Sequence, residues 1–515
     1  MPTDQPAPHL PPAPLPRPAL NRRHVLALSA TAATVAATGV QLATPGSALA
    51  GGGHDRPRPG RVVDRHLEAP VERAYHYLDV VQDAYQRGDT PRLLQSYNNE
   101  SQLMTTAFIY DNALAAIAYL ARPTRDNVRR ARIIGDALLF TQDNDEAYAD
   151  GRLRQAYAAG PMLFYGGSPD FPGLVRADGK AAFLWPYGFS GSSVGDVSWA
   201  ALALTHLYAH TRVRKYLDGA VAAASWVVDN TVSPYRYGGY HGGVQGDGVT
   251  HQRWCSTEHN IDAYALFTLL ARYTGDRAWH RHARVAGDFV RGMWNPVDGH
   301  FWTGTQGAGP DDDPDQINRA VRPEDPNTWG YLALREQKHA RGLDWTAREL
   351  AVTDAAGPDS EMPPGRPVSG VTFSDLSKVL TGTVPGGDRP NNRNAVWLEG
   401  NGHLAAALLE RGDRPRRGPD DRTRAVHYLR QAVVAQEVLG GGQTVGLTAD
   451  PNGGRLSDPA AGGTWTGRPL PARSGIVSAT SAFDTGFGFA YFQRQHVGAT
   501  AWFLMGAQSV NPYRI

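Results

Sequence analysis

Two kinds of helical segment alternate along this chain, and the alternation limits the folds open to it. One kind is amphipathic, with a charged face suited to contact with water. It recurs at 67–85, 126–142, 213–230, 277–294 and 420–438, with a weaker candidate at 372–380. The other kind is apolar or Ala-rich along its body and polar only at its start, as a helix buried on most sides must be. It recurs at 105–121, 196–210, 257–273, 327–335, 396–409 and 499–508. Six outer helices paired with six inner ones predict an all-α toroid of six helical hairpins. Long Gly- and aromatic-rich stretches at 157–190, 232–249, 299–322 and 440–488 each follow an outer helix and precede an inner one. Such loops gather at one rim, where the inner helices begin, with short β-hairpins among them. The alternation in Tyr235-Arg236-Tyr237-Gly238-Gly239-Tyr240 fits one of these.

The first fifty residues have a different character. Asn21-Arg22-Arg23-His24-Val25-Leu26-Ala27-Leu28 is a twin-arginine pattern, an Ala-rich apolar stretch follows, and Ala48-Leu49-Ala50 fits a small-residue cleavage site. The expected organisation is a signal peptide over 1–50, a disordered linker over 51–64 and one catalytic domain over 65–515. The mature chain is then secreted or periplasmic and free of the membrane, with a monomer expected. A net charge of +1 argues against nucleic acid as a partner, since that binding rests on many Lys/Arg–phosphate contacts. One cysteine, Cys255, allows neither a disulfide framework nor a thiolate metal cage. No metal motif or cofactor fingerprint is present, so neither a metal nor a cofactor is expected.

Chemistry concentrates where the apolar helices start. The densest start is Trp254-Cys255-Ser256-Thr257-Glu258-His259-Asn260-Ile261-Asp262. Ser256 or Thr257 suits the N-cap, and Glu258 falls in the first turn, where outward-facing N–H groups favour an anion. The other starts are Tyr110-Asp111-Asn112, Gly195-Asp196, Asn327-Thr328-Trp329 and Trp397-Leu398-Glu399-Gly400-Asn401, with Phe483-Asp484-Thr485-Gly486 ahead of the closing helix. A ring of hairpins brings these segments to one cavity. Carboxylates gathered there without Lys or Arg in the same motifs repel one another unless some hold protons. Carboxyl groups with shared or raised pKa are what acid–base cleavage of a glycosidic bond uses.

Three other patterns point elsewhere and are set aside. Gly191-Ser192-Ser193-Val194-Gly195 matches a nucleophile elbow but lacks the β/α chain that motif needs. Cys255, next to an apolar helix, reads as packing. Asp311-Asp312-Asp313-Pro314-Asp315 lacks the spacing and the Gly of a calcium loop.

The inner-helix motifs Ile109-Tyr110-Asp111-Asn112-Ala113-Leu114, Ser256-Thr257-Glu258-His259-Asn260-Ile261-Asp262 and Val396-Trp397-Leu398-Glu399-Gly400 resemble those of the six-hairpin, (α/α)6-barrel carbohydrate-active enzymes. The closing Ala499-Thr500-Ala501-Trp502-Phe503 and Asn511-Pro512 fit the same resemblance. It implies a secreted glycoside hydrolase that cuts a polysaccharide or oligosaccharide, typically with inversion, using one carboxyl as acid and another as base. Lyases, phosphorylases and epimerases share the scaffold, and fold alone does not choose among them. Glu258 and Glu399 are the expected acid/base pair, in an order the sequence leaves open, with Asp111 as substitute base. Asp196, Asp262 and Asp484 are expected to hold sugar hydroxyls or tune the pair. His259, Asn260, Tyr110, Trp397 and Trp254 are expected to line the substrate. A polysaccharide lyase and a non-catalytic glycan-binding protein are the alternatives.

Overall fold

The computed structural model describes residues 61–86, 88–99, 103, 105–160, 173–183, 189–412, 420–445 and 468–515. The expected signal peptide, 1–50, and residues 51–60 of the expected linker lie outside them. Residues 62–64, also assigned to the linker, are packed rather than loose, while Arg61 is exposed. The Val63 N–H donates to Ala507 O (2.8 Å), and Asp64 pairs with Arg430 (2.5 Å). No helix among the described residues is long and apolar enough to cross a membrane.

Twelve α-helices occur among these residues: α1 (Glu68–Gln82), α2 (Ile109–Ala121), α3 (Arg125–Asp143), α4 (Val194–Thr211), α5 (Arg214–Thr231), α6 (Thr257–Thr274), α7 (Ala278–Gly292), α8 (Asp325–Leu334), α9 (Arg341–Glu349), α10 (Leu398–Gly412), α11 (Asp420–Val438) and α12 (Val497–Ala507). The even-numbered helices pack in cyclic order, and α12 returns to α2 to close the ring. Each odd-numbered helix from α3 to α11 packs outside the inner helix just before it. The sixth hairpin joins the two ends of the chain, α1 against α12. This is the (α/α)6 barrel that the alternation predicts.

One outer helix lies elsewhere than expected. Residues 372–380 contain only a short 3-10 turn, Leu376–Lys378, and the helix outside α8 is α9. Its nine residues bury only Gly342, Leu343, Trp345 and Thr346, too few apolar positions to stand out from a charged surface segment. The 235–240 stretch is a turn closed by a single bridge between Val232 and Tyr240, with Gly238 and Gly239 at positive φ (62° and 78°), rather than a strand. Small antiparallel sheets precede several inner helices: Thr106–Phe108 leads into α2, Ser192–Ser193 into α4 and His251–Gln252 toward α6.

A repeated polar device ties the rim loops to the helices. In α2 the Asn112 side chain accepts from the Leu94 N–H (2.7 Å) and donates to Leu94 O (3.1 Å). Asn260 of α6 does the same to Tyr240 (2.8 and 2.9 Å). Asn327 of α8 accepts from the Phe301 N–H (2.9 Å), and Asn401 of α10 from the Val371 N–H (3.0 Å). In α12 a threonine takes the place, Thr500 accepting from the Ile476 N–H (2.9 Å). Each clamp satisfies backbone groups of a loop that would otherwise be buried unpaired.

Aromatic rings close the barrel axis below the rim. Trp199, Trp329 and Trp502, from α4, α8 and α12, lie 5.5–6.2 Å apart between ring centres. Tyr513 packs on Trp199 (5.2 Å) and Trp329 (6.3 Å). The tail that delivers it is held by Asn511 on Leu332 O (2.9 Å) and by His206 against Pro512 O (2.7 Å). At the α10–α12 crossing, a Cβ on Gly402 would sit 2.8 Å from Trp502 Cβ and 3.0 Å from its backbone carbon. Gly402→Ala therefore forces the two helices apart. It should destabilise the protein by about 1–3 kcal/mol in urea unfolding. Gly292→Ala, with no atom within 4 Å of the added Cβ, should be neutral or slightly stabilising. Equal effects of the two changes would contradict this packing.

Candidate active site

The ring brings the inner-helix starts together as expected, and the acidic side chains converge. One phenol, Tyr491, feels the charges of Glu399, Asp325, Asp111 and Glu258 at once. Asp111, Asp196, Asp262, Glu324, Asp325 and Glu399 are all buried, whereas Glu258 stays partly exposed. Among the described residues, none of these seven carboxyls pairs with Lys or Arg; Asp111, Glu324, Asp325 and Glu399 have histidines as ionic partners.

His403 of α10 is the central one. Its Nδ1 lies 3.0 Å from Glu324 Oε2 and 3.3 Å from Asp325 Oδ1, and its Nε2 lies 3.5 Å from Glu399 Oε1. Burial works against a charge on the ring, but three acids outweigh it and push its pKa well above the usual histidine range. Glu324, Asp325 and His403 are also the group whose metal-ligand atoms fall within 4.8 Å of one another. The His403 ring bridges the two acids, and burial raises Glu324 to about 7 and Asp325 above its usual value.

Glu399 is ionised. Burial alone would raise its pKa, yet His403, His496 and the Tyr110 hydroxyl together bring it below the ordinary value. Tyr110 donates to Glu399 Oε1 (2.6 Å) and accepts from Trp502 Nε1 (2.9 Å). The other carboxylate oxygen of Glu399, Oε2, faces Gly498 and His496. A Cβ at Gly498 would come 2.5 Å from Asp111 Oδ1 and 3.1 Å from Glu399 Oε2, so the missing side chain leaves these two oxygens facing one gap. His496 bridges the same pair, with Nε2 3.1 Å from Asp111 Oδ1 and Nδ1 3.5 Å from Glu399 Oε2. The same Nδ1 caps α12 by accepting from the Ala499 N–H (3.2 Å), which leaves Nε2 to donate to Asp111. Tyr97 stacks on its ring at 4.0 Å.

Glu258 is in the opposite state. It begins α6 one residue after the start, capped by Ser256, whose hydroxyl accepts from the His259 N–H. Burial by the surrounding wall, then Asp325, Asp262 and Asp196, outweigh the opposing pull of His403 and hold its pKa well above the usual carboxylate range. Asp196 is pushed up to about 7 by burial, although Ser193 donates to its Oδ2 (2.5 Å). Asp262 lies deeper. Its Oδ1 accepts from the Tyr513 hydroxyl (2.8 Å), its Oδ2 has no partner, and burial raises it strongly.

Several expectations need correction. Asn260 cannot bind substrate, because it is fully buried and its amide is spent on Tyr240 and on Ser256 O (2.8 Å). Asp262 faces the aromatic floor, not a sugar. Trp397 is core: 2 % exposed, packed on Phe373 (4.8 Å) and His403 (5.1 Å). Asp484 shapes a turn, its Oδ1 accepting from the Gly486 N–H (2.8 Å). Trp254 and His259 do stand at the rim, partly exposed, with rings 5.4 Å apart. Burial lowers His259 to about 4, so the ring is neutral. Ser193 of the elbow-like motif is the N-cap of α4, accepting from the Asp196 N–H (3.0 Å). Cys255 is buried, and its thiol is pushed up to about 11.

The sequence reading missed Glu324, Asp325, His403, His496, Tyr491 and Tyr513. Pro323-Glu324-Asp325-Pro326 carried a helix-start signal, with Pro at the second helical position. The i,i+4 spacing of Glu399 and His403 put both on one helix face. Nothing local marks Tyr513.

No family model matches the sequence, and no curated protein matches it. Solved structures similar to it include a sugar epimerase from a ruminal bacterium, at 8% identity over 85% of this chain and 98% of that one, with a TM-score of 0.49. The GH76A α-1,6-mannanase from Salegentibacter sp. HEL1_6 is 10% identical over 86% of this chain and 99% of that one, with a TM-score of 0.46. A D-mannose isomerase is 11% identical over 87% and 97%, with a TM-score of 0.49.

The raised Asp196 makes a stability prediction. A carboxyl that holds its proton more tightly folded than unfolded favours the folded state least once both forms are ionised. The penalty grows as pH rises from about 4 through about 7. Asp196→Asn cannot ionise. Its unfolding free energy relative to wild type should therefore rise across that window by on the order of a few kcal/mol. A difference independent of pH would contradict the assignment.

Proposed function

We propose that this chain is a glycoside hydrolase acting on a neutral poly- or oligosaccharide, with Glu258 as proton donor and Glu399 as the carboxylate that assists attack by water. The observation that carries the proposal is the opposite state of two carboxyls in one cluster. Glu258 faces other acids, makes no ion pair among the described residues and is reached by His403 only at longer range, while Glu399 is surrounded by His403, His496 and Tyr110. Environments that push two carboxyls apart in this way assign acid and base. Asp111, which shares His496 and the Gly498 gap with Glu399, is the substitute base.

The cluster's charge supports a neutral substrate. A lyase acting on uronates needs a cationic subsite, and seven carboxyls with only histidines as ionic partners would repel such a chain. The proposed course is inversion, on the resemblance of the helix-start motifs, and the anomer first released, read by proton NMR, tests it. Export through the twin-arginine pattern, with the chain monomeric, is part of the same proposal.

The test is a panel of soluble polysaccharides (yeast α-mannan, dextran, pullulan, xylan) scored for new reducing ends. Glu258→Gln and Glu399→Gln should each lower kcat by roughly 10²–10⁴ while leaving the glycan bound. Activity needs Glu399 ionised and Glu258 protonated. It should therefore fall at low pH as Glu399 gains a proton and at high pH as Glu258 loses one. Binding without cleavage of any glycan would favour a non-catalytic glycan-binding protein. A product with a new double bond, absorbing in the ultraviolet, would favour a lyase.

A further inference from the structure

The last rim hairpin holds two large rings out in solvent. Phe483–Asp484 pairs with Ala490–Tyr491, and the turn between them exposes Phe487 (42 %) and Phe489 (45 %). The other exposed large hydrophobics among the described residues are all valines. Exposing two phenyl rings forgoes the stabilisation that burying them would give. The turn is nevertheless built to hold them there. The Thr485 N–H and hydroxyl both donate to Phe489 O (3.1 and 2.7 Å), and Thr485 Oγ1 accepts from the Phe487 N–H (3.3 Å). Gly486 and Gly488 take positive φ (85° and 81°), which a side chain would strain.

The rings are continuous with the acidic cluster. Both pack against Phe373, at 5.8 and 5.9 Å between centres, and Phe373 packs on Trp397, next but one to Glu399. Phe489 also meets Tyr491 (5.7 Å), which stacks on Trp397 (5.8 Å) and feels Glu399 and Glu258. A rigid apolar face beside a hydroxyl-binding acidic site matches the C–H face of a pyranose ring, whose edge carries the polar groups. Pre-organisation lowers the ordering cost of such a contact. We propose that Phe487 and Phe489 form a stacking platform for a sugar ring of the same glycan chain that enters the site at Glu258 and Glu399. This rests on reading the cluster as a glycan site.

The test is affinity electrophoresis in gels cast with yeast α-mannan, dextran, pullulan or xylan, using Glu258→Gln as the parent so that no chain is cut. At least one polymer should retard the parent. Adding Phe487→Ala and Phe489→Ala should weaken that retardation fivefold or more, whereas Phe489→Trp on the parent should keep or strengthen it. Equal retardation of the parent and the double-alanine form overturns the platform, and so does a parent that no polymer retards. If the alanine form does not fold by circular dichroism, a Trp form retarded more weakly than the parent overturns it. A dimer that dissociates on losing the two rings, with retardation unchanged, overturns it as well. Ring-dependent retardation with no cleavage by wild type leaves the platform standing and removes the hydrolase reading. Cleavage with retardation indifferent to the rings does the reverse.

Discussion

His403 is the charge on which the acidic cluster depends. Glu324, Asp325 and Glu399 come from two helices of the inner ring and are buried within reach of one imidazole. Three carboxyls stripped of water repel one another and each loses its hydration, so without a cation between them they could not stay both buried and ionised. The protonated ring lets Glu399 stay ionised while Glu324 and Asp325 remain beside it. Glu258 makes no ion pair among the described residues and His403 acts on it only at longer range, so burial and repulsion from Asp325, Asp262 and Asp196 prevail there. One histidine, closer to one acid than to the other, divides a set of similar acids into unlike partners.

The barrel supplies the placement. Six inner helices start at one rim, and in α2, α6, α8 and α10 the start has two jobs assigned to different residues. An asparagine fastens the neighbouring loop, as Thr500 does in α12, while an acid of the same start belongs to the cluster at the mouth. In α2 these are Asn112 and Asp111; in α6, Asn260 and Glu258; in α10, Asn401 and Glu399. The clamp fixes the loop, the loop fixes the first turn, and the first turn aims the acid. Trp199, Trp329, Trp502 and Tyr513 close the axis beneath, so the mouth has a floor and its low dielectric sharpens every charge–charge contact.

Much of this was legible in the chain. Helical periodicity is a local property, so the alternation of buried and charged-face helices predicts the ring, and polar helix starts predict convergence at one rim. Glu258, Glu399, Asp111 and Tyr110 are found together for that reason. The clamps were visible as polar residues but not as clamps, because a hydrogen bond to Tyr240 or Leu94 lies outside the local pattern. From sequence, Asn260 therefore reads as a substrate ligand. Trp397 was misplaced for a related reason: an aromatic residue before a helix looks alike whether it faces a cleft or a loop that covers it. Tyr513 reaches Asp262 across 251 positions in sequence, a closure that no window of residues contains. Glu324 and Asp325 lie just ahead of the apolar run that drew attention to α8, and the prolines flanking them were the signal to start that helix earlier.

The proposed acid/base pair requires Glu258 to hold a proton near neutral pH while Glu399 does not. Infrared difference spectroscopy reads this directly, since a protonated carboxyl has a C=O stretch well separated from that of a carboxylate. Wild type near pH 7 should show protonated-carboxyl intensity, part of which disappears in Glu258→Gln and none of which disappears in Glu399→Gln. Loss of that intensity in Glu399→Gln, with Glu258→Gln unchanged from wild type, would contradict the assignment on which the mechanism stands.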